Sequence, residues 1–99
     1  MLIKEKSKKI NRVAKKVNKY PHISNNSNIL NGIPIITGTR IAVRTIAGYY
    51  QLGMSVDEIL AALKHLTPSQ VHSALAFYFE HQSEIDKQIK ENNNYRLWK

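Results

Sequence analysis

Two helix starts stand close together in this chain and limit what it can fold into. Ser55 is followed three residues later by Glu58, and Thr67 is followed three residues later by Gln70. Each pair has the form of a capping box, in which two side chains satisfy free backbone amides at a helix N-terminus. The sequence therefore predicts one helix starting at Ser55 and another at Thr67, separated only by Lys64-His65-Leu66.

Apolar residues recur at helical spacing in three segments. A first helix is predicted from about Val43 to Leu52, with Gly53 in its C-terminal cap position. The third helix is predicted to run from Thr67 to Glu91, about 36 Å at ~1.5 Å per residue, and its far half needs something else to pack against. The residues expected to face the core are Val43, Ile46, Ala47 and Tyr50; Val56, Ile59, Leu60 and Leu63; and Val71, Ala74, Leu75, Tyr78, Gln82, Ile85 and Ile89.

A short β-ribbon is predicted before these helices. Asn31-Gly32 is a hairpin signal between Ile29-Leu30 and the run from Ile33 to Ile36, and Pro34 confines the second strand to a sheet edge. Such a ribbon is too small to be stable alone. The predicted fold is mainly α, a three-helix helix-turn-helix core preceded by a short β-ribbon, with a basic N-terminal arm. By spacing alone, an ordinary helical hairpin remains an alternative to the helix-turn-helix.

Positive charge is concentrated at the N-terminus. The chain carries a formal net charge of +8, and residues 1–21 hold eight Lys or Arg against Glu5 alone. We therefore divide the chain into a basic arm (1–21), a ribbon and helix-turn-helix domain (22–91) and a C-terminal tail (92–99). Basic arms bind phosphates, anionic lipid or acidic proteins, although a solvated tail is the alternative. The arm residues expected to contact DNA are Lys8, Lys9, Arg12, Lys15 and Lys16.

Several functional classes find no support in the composition. The chain has no cysteine, which fits a reducing cytoplasm, and it has no apolar run of the ~20 residues that span a membrane. Its four histidines lack metal-ligand spacing, and there is no glycine-rich phosphate loop or convincing catalytic triad. We expect a cytoplasmic protein that is not an enzyme and needs no cofactor or metal.

The third helix carries candidates for DNA contact near its start. Gln, Ser and His side chains can read bases, and a helix N-terminus favours phosphate. The first two turns lack Arg, Lys and Asn, so strong guanine recognition is not expected, and the small residues could instead make a helix–helix contact. The candidates are Thr67, Ser69, Gln70, His72 and Ser73.

The phrase Gly38-Thr39-Arg40 lies between two apolar runs. Gly38 is expected at positive φ in a sharp turn, and Thr39 can hydrogen-bond the local backbone. Arg40 could brace the ribbon against the helices, or its planar fork could hold a DNA phosphate. Arg44 has no acidic partner nearby in sequence and is the better phosphate candidate.

The stretch GIPIITGTRIAVRTIAGYYQLGMSVDEIL resembles the signature of a family of small prokaryotic proteins, the domain of unknown function four-three-three family. The resemblance covers about residues 22–85, and Ala42 departs from it where the family usually has proline. The matching positions are Gly32, Pro34, Ile36, Gly38, Thr39, Arg40, Ile41, Val43, Gly53, Ser55, Glu58, Ile59, Leu66, Thr67, Val71, Ala74 and Leu75.

The resemblance implies a winged or ribbon-bearing helix-turn-helix protein and a function. Members are commonly regarded as VapB-type antitoxins of type II toxin–antitoxin pairs, whose usual partner is a PIN-like ribonuclease toxin. We therefore expect an antitoxin that neutralises such a toxin and binds its own operator DNA as a homodimer. The alternatives are a dimeric helix-turn-helix regulator without a toxin, a protein-interaction scaffold that never touches DNA, and a membrane-surface protein using the basic arm.

Partner contacts are expected at two further places. Phe77 and Phe79 flank the core stripe of the third helix and are candidate dimer contacts. The tail residues Tyr95, Arg96, Leu97 and Trp98 are the candidate toxin-binding segment, because Trp and Arg are enriched at binding hot spots; the alternative is that Trp98 folds back on the domain. By resemblance to other antitoxins of such toxins, Arg96 could enter the toxin's magnesium-binding carboxylate cluster. Asn92-Asn93-Asn94 is expected to end the third helix before this tail.

Overall fold

The described part of the chain folds into a small sheet followed by four α-helices. A computed structural model describes residues 19–97 of the chain and the side chains of residues 19–92. The DNA contacts predicted in the arm, and the side chains of the predicted toxin-binding tail, therefore lie outside the described residues. The elements are β1 (Ile23–Ser24), β2 (Ile35–Ile36), α1 (Val43–Gln51), α2 (Val56–Ala62), α3 (Pro68–Glu80) and α4 (Gln82–Leu97).

The ribbon forms, but its first strand is not the one predicted. β1 pairs antiparallel with β2, so that Ile23 lies opposite Ile36. The predicted Asn31-Gly32 hairpin is wrong. Leu30, Asn31 and Gly32 all take positive φ, of 49°, 59° and 81°, and form a 3-10 turn inside the loop that joins the strands.

β2 is an edge strand, because the sheet consists of β1 and β2 alone in the described part of the chain. On its other side Ile35 forms an isolated antiparallel bridge with Ala42, and the Ile36 amide donates to the Ile41 carbonyl at 2.9 Å. The two-stranded sheet confirms the edge position predicted from Pro34. Pro34 is tolerated because it precedes the strand, and its carbonyl accepts a hydrogen bond from the Val43 amide at 3.0 Å.

Both predicted capping boxes are present. Ser55 Oγ accepts from the Glu58 amide at 3.1 Å, and Glu58 Oε1 accepts from the Ser55 amide at 2.8 Å. Thr67 Oγ1 accepts from the Gln70 amide at 3.2 Å, and Gln70 Oε1 accepts from the Thr67 amide at 2.8 Å. These caps confirm the start of α2 and of α3, and the short turn between the helices gives the helix-turn-helix.

Most of the predicted apolar stripes meet in one core beneath the sheet. Tyr50 is an exception, because it is 44% exposed rather than buried. Gln82 is also exposed rather than on the core face. The buried core consists of Ile23, Ile36, Val43, Ile46, Ala47, Ile59, Leu66, Val71, Ala74, Leu75, Tyr78 and Ile85.

The prediction of one long third helix reaching Glu91 is wrong, because the helix breaks at His81. This residue leaves helical geometry at φ −131° and ψ 39°, and its ring Nδ1 lies 3.0 Å from the Phe77 carbonyl oxygen. The break lets α4 fold back against α1 and bury Ile85. The expected far half of the helix therefore packs within the chain itself.

Polar contacts fix α4 against α1. The Gln51 side-chain amide donates to Tyr78 Oη at 2.8 Å and to Asp86 Oδ1 at 2.7 Å, and Tyr78 Oη donates to Asp86 Oδ1 at 2.8 Å. The three asparagines at 92–94 do not end α4, which continues to Leu97. Asparagine is a weak helix former rather than a helix breaker.

Candidate nucleic-acid and partner interfaces

The Gly38-Thr39-Arg40 phrase forms the turn between β2 and the start of α1. Gly38 has φ 84°, as predicted, and an added Cβ there would meet nothing within 4 Å. Glycine is therefore needed for its conformation and not for space. Thr39 Oγ1 donates to the Ile36 carbonyl at 2.8 Å and accepts from the Ile41 amide at 2.9 Å, which confirms the local role predicted for this hydroxyl.

Arg40 extends from this turn into solvent. Its side chain is exposed and makes no hydrogen bond or ion pair with any residue whose side chain the structure describes. Within residues 19–92, Arg40 thus has no partner through which it could brace the ribbon against the helices. Phosphate binding by Arg40 stays a prediction.

The polar residues at the start of α3 are largely used by the fold. Thr67 and Gln70 bond each other in the capping box, and Ser69 Oγ lies 3.1 Å from the Nε2 atom of His22. His72 is exposed and Ser73 is half-buried. Of the side chains predicted to read bases, His72 is the one that combines exposure with no hydrogen bond inside the described part of the chain.

An aromatic and ionic cluster ties the end of the arm to the C-terminus of α3. The Tyr20 ring packs edge-on against Phe77 at 5.0 Å between centroids, and Phe77 stacks on His81 at 4.0 Å. The Tyr20 hydroxyl donates to the Glu80 carboxylate, which Lys19 Nζ also contacts at 3.1 Å. We call Lys19, Tyr20, Phe77, Glu80 and His81 the arm clamp.

Contacts within the arm clamp shift the pKa values of three of its residues. The hydrogen bond from Tyr20, followed by that from Lys19, lowers the pKa of the Glu80 carboxyl from 4.5. The same carboxylate raises the pKa of Tyr20 and of Lys19 through hydrogen bonding. This cluster could not be predicted from the sequence, because contacts between residues 60 positions apart leave no local signal in a single sequence.

The two phenylalanines predicted at a dimer interface have different surroundings. Phe77 packs within the arm clamp and is partly buried against the core. Phe79 is 47% exposed, and its ring contacts Tyr50, itself 44% exposed, at 5.2 Å between centroids. Tyr50 and Phe79 form an exposed aromatic pair, and Phe79 keeps its place as a candidate dimer contact.

Arg44 lies in a groove between α1 and α4 rather than beside the start of α3. The groove has a volume of about 500 Å³. It contains none of the residues predicted to read bases at the start of α3. Its lining residues are Arg44, Thr45, Gly48, Tyr49, Gln51, Leu52, Ile89 and Asn92. We call this feature the α1–α4 groove.

No helix within residues 19–97 has the length and apolar character needed to cross a membrane. No group of three or more His, Asp or Glu side chains in the described part of the chain is placed to hold a metal ion.

The small sheet, the two capped helices around a tight turn and the returning α4 define a ribbon-bearing helix-turn-helix protein. The family model for a protein of unknown function (DUF433) matches residues 23–78, more than half of the chain. The chain belongs to the DUF433 family.

A solved structure shares this fold. The crystal structure of a DUF433 member protein from Anabaena variabilis ATCC 29413 is 28% identical in sequence, with a TM-score of 0.66. The alignment covers 85% of this chain and 80% of that one. No curated protein matches the chain.

Proposed function

We propose that this chain is the antitoxin of a type II toxin–antitoxin pair, acting in the cytoplasm. It binds its own operator DNA as a homodimer and neutralises a PIN-like ribonuclease. The observation that carries the DNA-binding part is the capped helix-turn-helix, in which α2 and α3 flank a short turn and His72 stands exposed on α3. The toxin part rests on the resemblance of the sequence motif to antitoxins.

In this proposal, phosphate contacts supply most of the affinity for DNA. Lys19 anchors the arm at Glu80, the last residue of α3, roughly 18 Å from the start of that helix at ~1.5 Å per residue. Eighteen residues precede Lys19, and a chain of that length spans up to roughly 60 Å when extended. If α3 lies in a groove of the DNA, the arm is therefore long enough to reach the phosphates on either side of that DNA groove.

A second candidate function is a protein-interaction scaffold that does not bind DNA. It is favoured by one observation, the use of Thr67, Gln70 and Ser69 in contacts within the chain. A helix whose polar side chains are already engaged presents fewer groups to base edges.

Operator binding is tested by a charge change on α3. The His72→Glu variant places a carboxylate where phosphates and bases would lie, and we expect its affinity for the DNA upstream of its own gene to fall by about tenfold or more. Fluorescence anisotropy with labelled DNA measures the effect. The matched control is Gln82→Glu, the same charge change at an exposed position on α4, which should bind nearly as well as the natural chain. Equal affinity of the two variants would favour the scaffold.

Toxin neutralisation is tested at the C-terminus. Truncation after Asn94 removes Tyr95, Arg96, Leu97 and Trp98, and it leaves intact Ile85 and Ile89, the α4 residues that pack on the core. We expect the truncated protein to lose inhibition of the ribonuclease encoded beside it while keeping operator binding. Full inhibition by the truncated protein would move the toxin contact elsewhere on the chain.

A further inference from the structure

One face of α1 is left open along the α1–α4 groove. Arg44, Gly48 and Leu52 are spaced four residues apart, so they lie one above another on the same side of the helix. All three line the groove, and Ile89 and Asn92 of α4 form its other wall. Leu52 is 79% exposed, so no side chain in the described part of the chain covers it.

Within the described residues, no contact requires a glycine in the middle of this face. A glycine inside a helix costs roughly 0.5–1 kcal/mol relative to alanine. Gly48 lies within α1 and is not among the glycines at positive φ. A Cβ added to it would meet no other atom within 4 Å. Neither the backbone conformation nor a neighbouring group requires glycine here, so the missing side chain leaves room for a backbone from outside.

Arg44 gives the groove a positive charge. Arg44 makes no ion pair with any described residue, and no carboxylate is among the residues that line the groove. Asp86, which joins α4 to α1, already accepts hydrogen bonds from Gln51 and Tyr78. The groove therefore contains a guanidinium without an ion-pair partner among the described residues, together with the side chains of Tyr49, Leu52 and Ile89.

We propose that the α1–α4 groove docks an acidic amphipathic helix of a partner protein. A carboxylate of that helix pairs with Arg44, and an apolar side chain packs on Leu52, the C-cap residue of α1, eight residues or about 12 Å from Arg44. Gly48 between them lets the two helix backbones approach closely. Residues 1–18 and 95–99 of this chain are rich in Lys and Arg, so an acidic helix of another protein complements Arg44 better than either segment does. This goes beyond the proposed function, because the partner is defined by charge and shape and not by ribonuclease activity.

The experiment uses the full chain and a display library of random peptides about 16 residues long, roughly 24 Å as a helix. Selected peptides are synthesised and their affinities measured by fluorescence anisotropy. We expect an Asp or Glu and a large apolar residue seven or eight positions apart. Gly48→Leu fills the groove and should weaken binding at least tenfold, whereas Ser83→Leu, the control at an exposed site on α4, should not.

A charge reversal separates docking from non-specific attraction. Arg44→Glu should lose the selected acidic peptide and regain affinity for the same peptide with lysine in place of its carboxylate. Circular dichroism checks that each variant is folded, and Gly48→Leu should remain folded because the space above Gly48 is open. The proposal is overturned if selection yields no acidic peptides, or if Gly48→Leu binds them as well as the natural chain does. It is also overturned if Arg44→Glu weakens operator binding and leaves peptide binding unchanged, since Arg44 would then be a phosphate contact.

Discussion

The start of α3 and the α1–α4 groove use their polar groups in opposite ways. At the start of α3, Thr67 and Gln70 hold each other in a capping box and Ser69 meets His22. In the groove, Arg44 has no charged partner among the described residues, and Leu52 is 79% exposed. At the start of α3, side chains of the types that read bases thus make hydrogen bonds within the chain. In the α1–α4 groove, a charged side chain and an apolar side chain have no such partners among the described residues.

This difference separates two kinds of evidence for binding. Polar residues at a helix start indicate a cap at least as often as a contact with DNA, because free amides there need acceptors whether or not a ligand is bound. An unpaired cation beside exposed apolar surface has no such internal explanation. The following predictions test whether DNA binding depends chiefly on the arm and whether the groove face is free of structural duty.

The largest expected effect follows from removing residues 1–18, which retains Lys19 and Tyr20 of the arm clamp. The segment holds seven basic residues and one acidic residue. If it neutralises several phosphates, operator affinity should fall by about a hundredfold or more at low salt, and the salt dependence of log K should become shallower by ~0.9 for each phosphate lost. Anisotropy titrations over a range of salt concentrations measure both. An unchanged salt slope would assign the affinity to the α3 region instead.

The next effect concerns the exposed aromatic pair, which lies apart from the lining of the groove. Phe79→Glu introduces a charge beside Tyr50 and should shift the proposed homodimer toward monomer, because a buried unpaired carboxylate is strongly disfavoured. Sedimentation velocity at micromolar concentration, without toxin or DNA, measures the change. His65→Glu, at an exposed position in the turn between α2 and α3, is the control. If the natural chain is a monomer under these conditions, the proposal that Phe79 lies at a dimer interface is wrong.

Replacing Gly38 or Gly48 with alanine should change the free energy of unfolding in opposite directions, although both glycines have open space around them. Gly38 has φ 84°, so Gly38→Ala should lower the free energy of unfolding by about 1 kcal/mol. Gly48 lies in the regular helix α1, so Gly48→Ala should raise it by about 0.5–1 kcal/mol. Urea unfolding of the two variants compares them directly. A destabilising Gly48→Ala would show that the groove face is constrained by the fold and would remove the reason for leaving it open.

The smallest effect concerns the arm clamp and depends on pH. Because the pKa of Glu80 is lowered, its contribution to stability is present above pH 4.5 and is lost as the pH falls through the lowered value. The pKa values of Tyr20 and Lys19 are raised, so their contribution is present below pH 10 and is lost as the pH rises through the raised values. Glu80→Gln should therefore lower the melting temperature slightly near neutral pH and much less at either extreme.

Glu91→Gln is the control for the arm clamp, because Glu91 is exposed and makes no ion pair with a described residue. The melting temperatures of both variants are compared with those of the natural chain from pH 3 to pH 11. A difference for Glu80→Gln that stays constant over this range would show that the carboxylate charge contributes nothing.

Local chemistry made the helix-turn-helix predictable from the sequence. The caps at Ser55 and Thr67 are formed by residues three positions apart, and Gly53 takes its positive φ of 90° directly after α1. The turn at Gly38 is equally local, since Thr39 completes it with neighbouring backbone groups. In each case the interacting groups are near each other along the chain, so the sequence pattern contains the whole interaction.

The tertiary structure alone decided the partners of the short strands, the break at His81 and the position of α4. β2 pairs with β1 across the loop that contains Asn31-Gly32, because burying Ile23 and Ile36 in the core outweighs a strong but local turn signal. The α1–α4 groove likewise exists only because the break at His81 brings Ile89 beside Arg44. The sequence by itself determined where α1, α2 and α3 begin and where the backbone turns at Gly38 and Gly53, since those features depend on neighbouring groups. Which faces meet, and which stay open to a partner, was settled by burial summed over residues far apart in the chain.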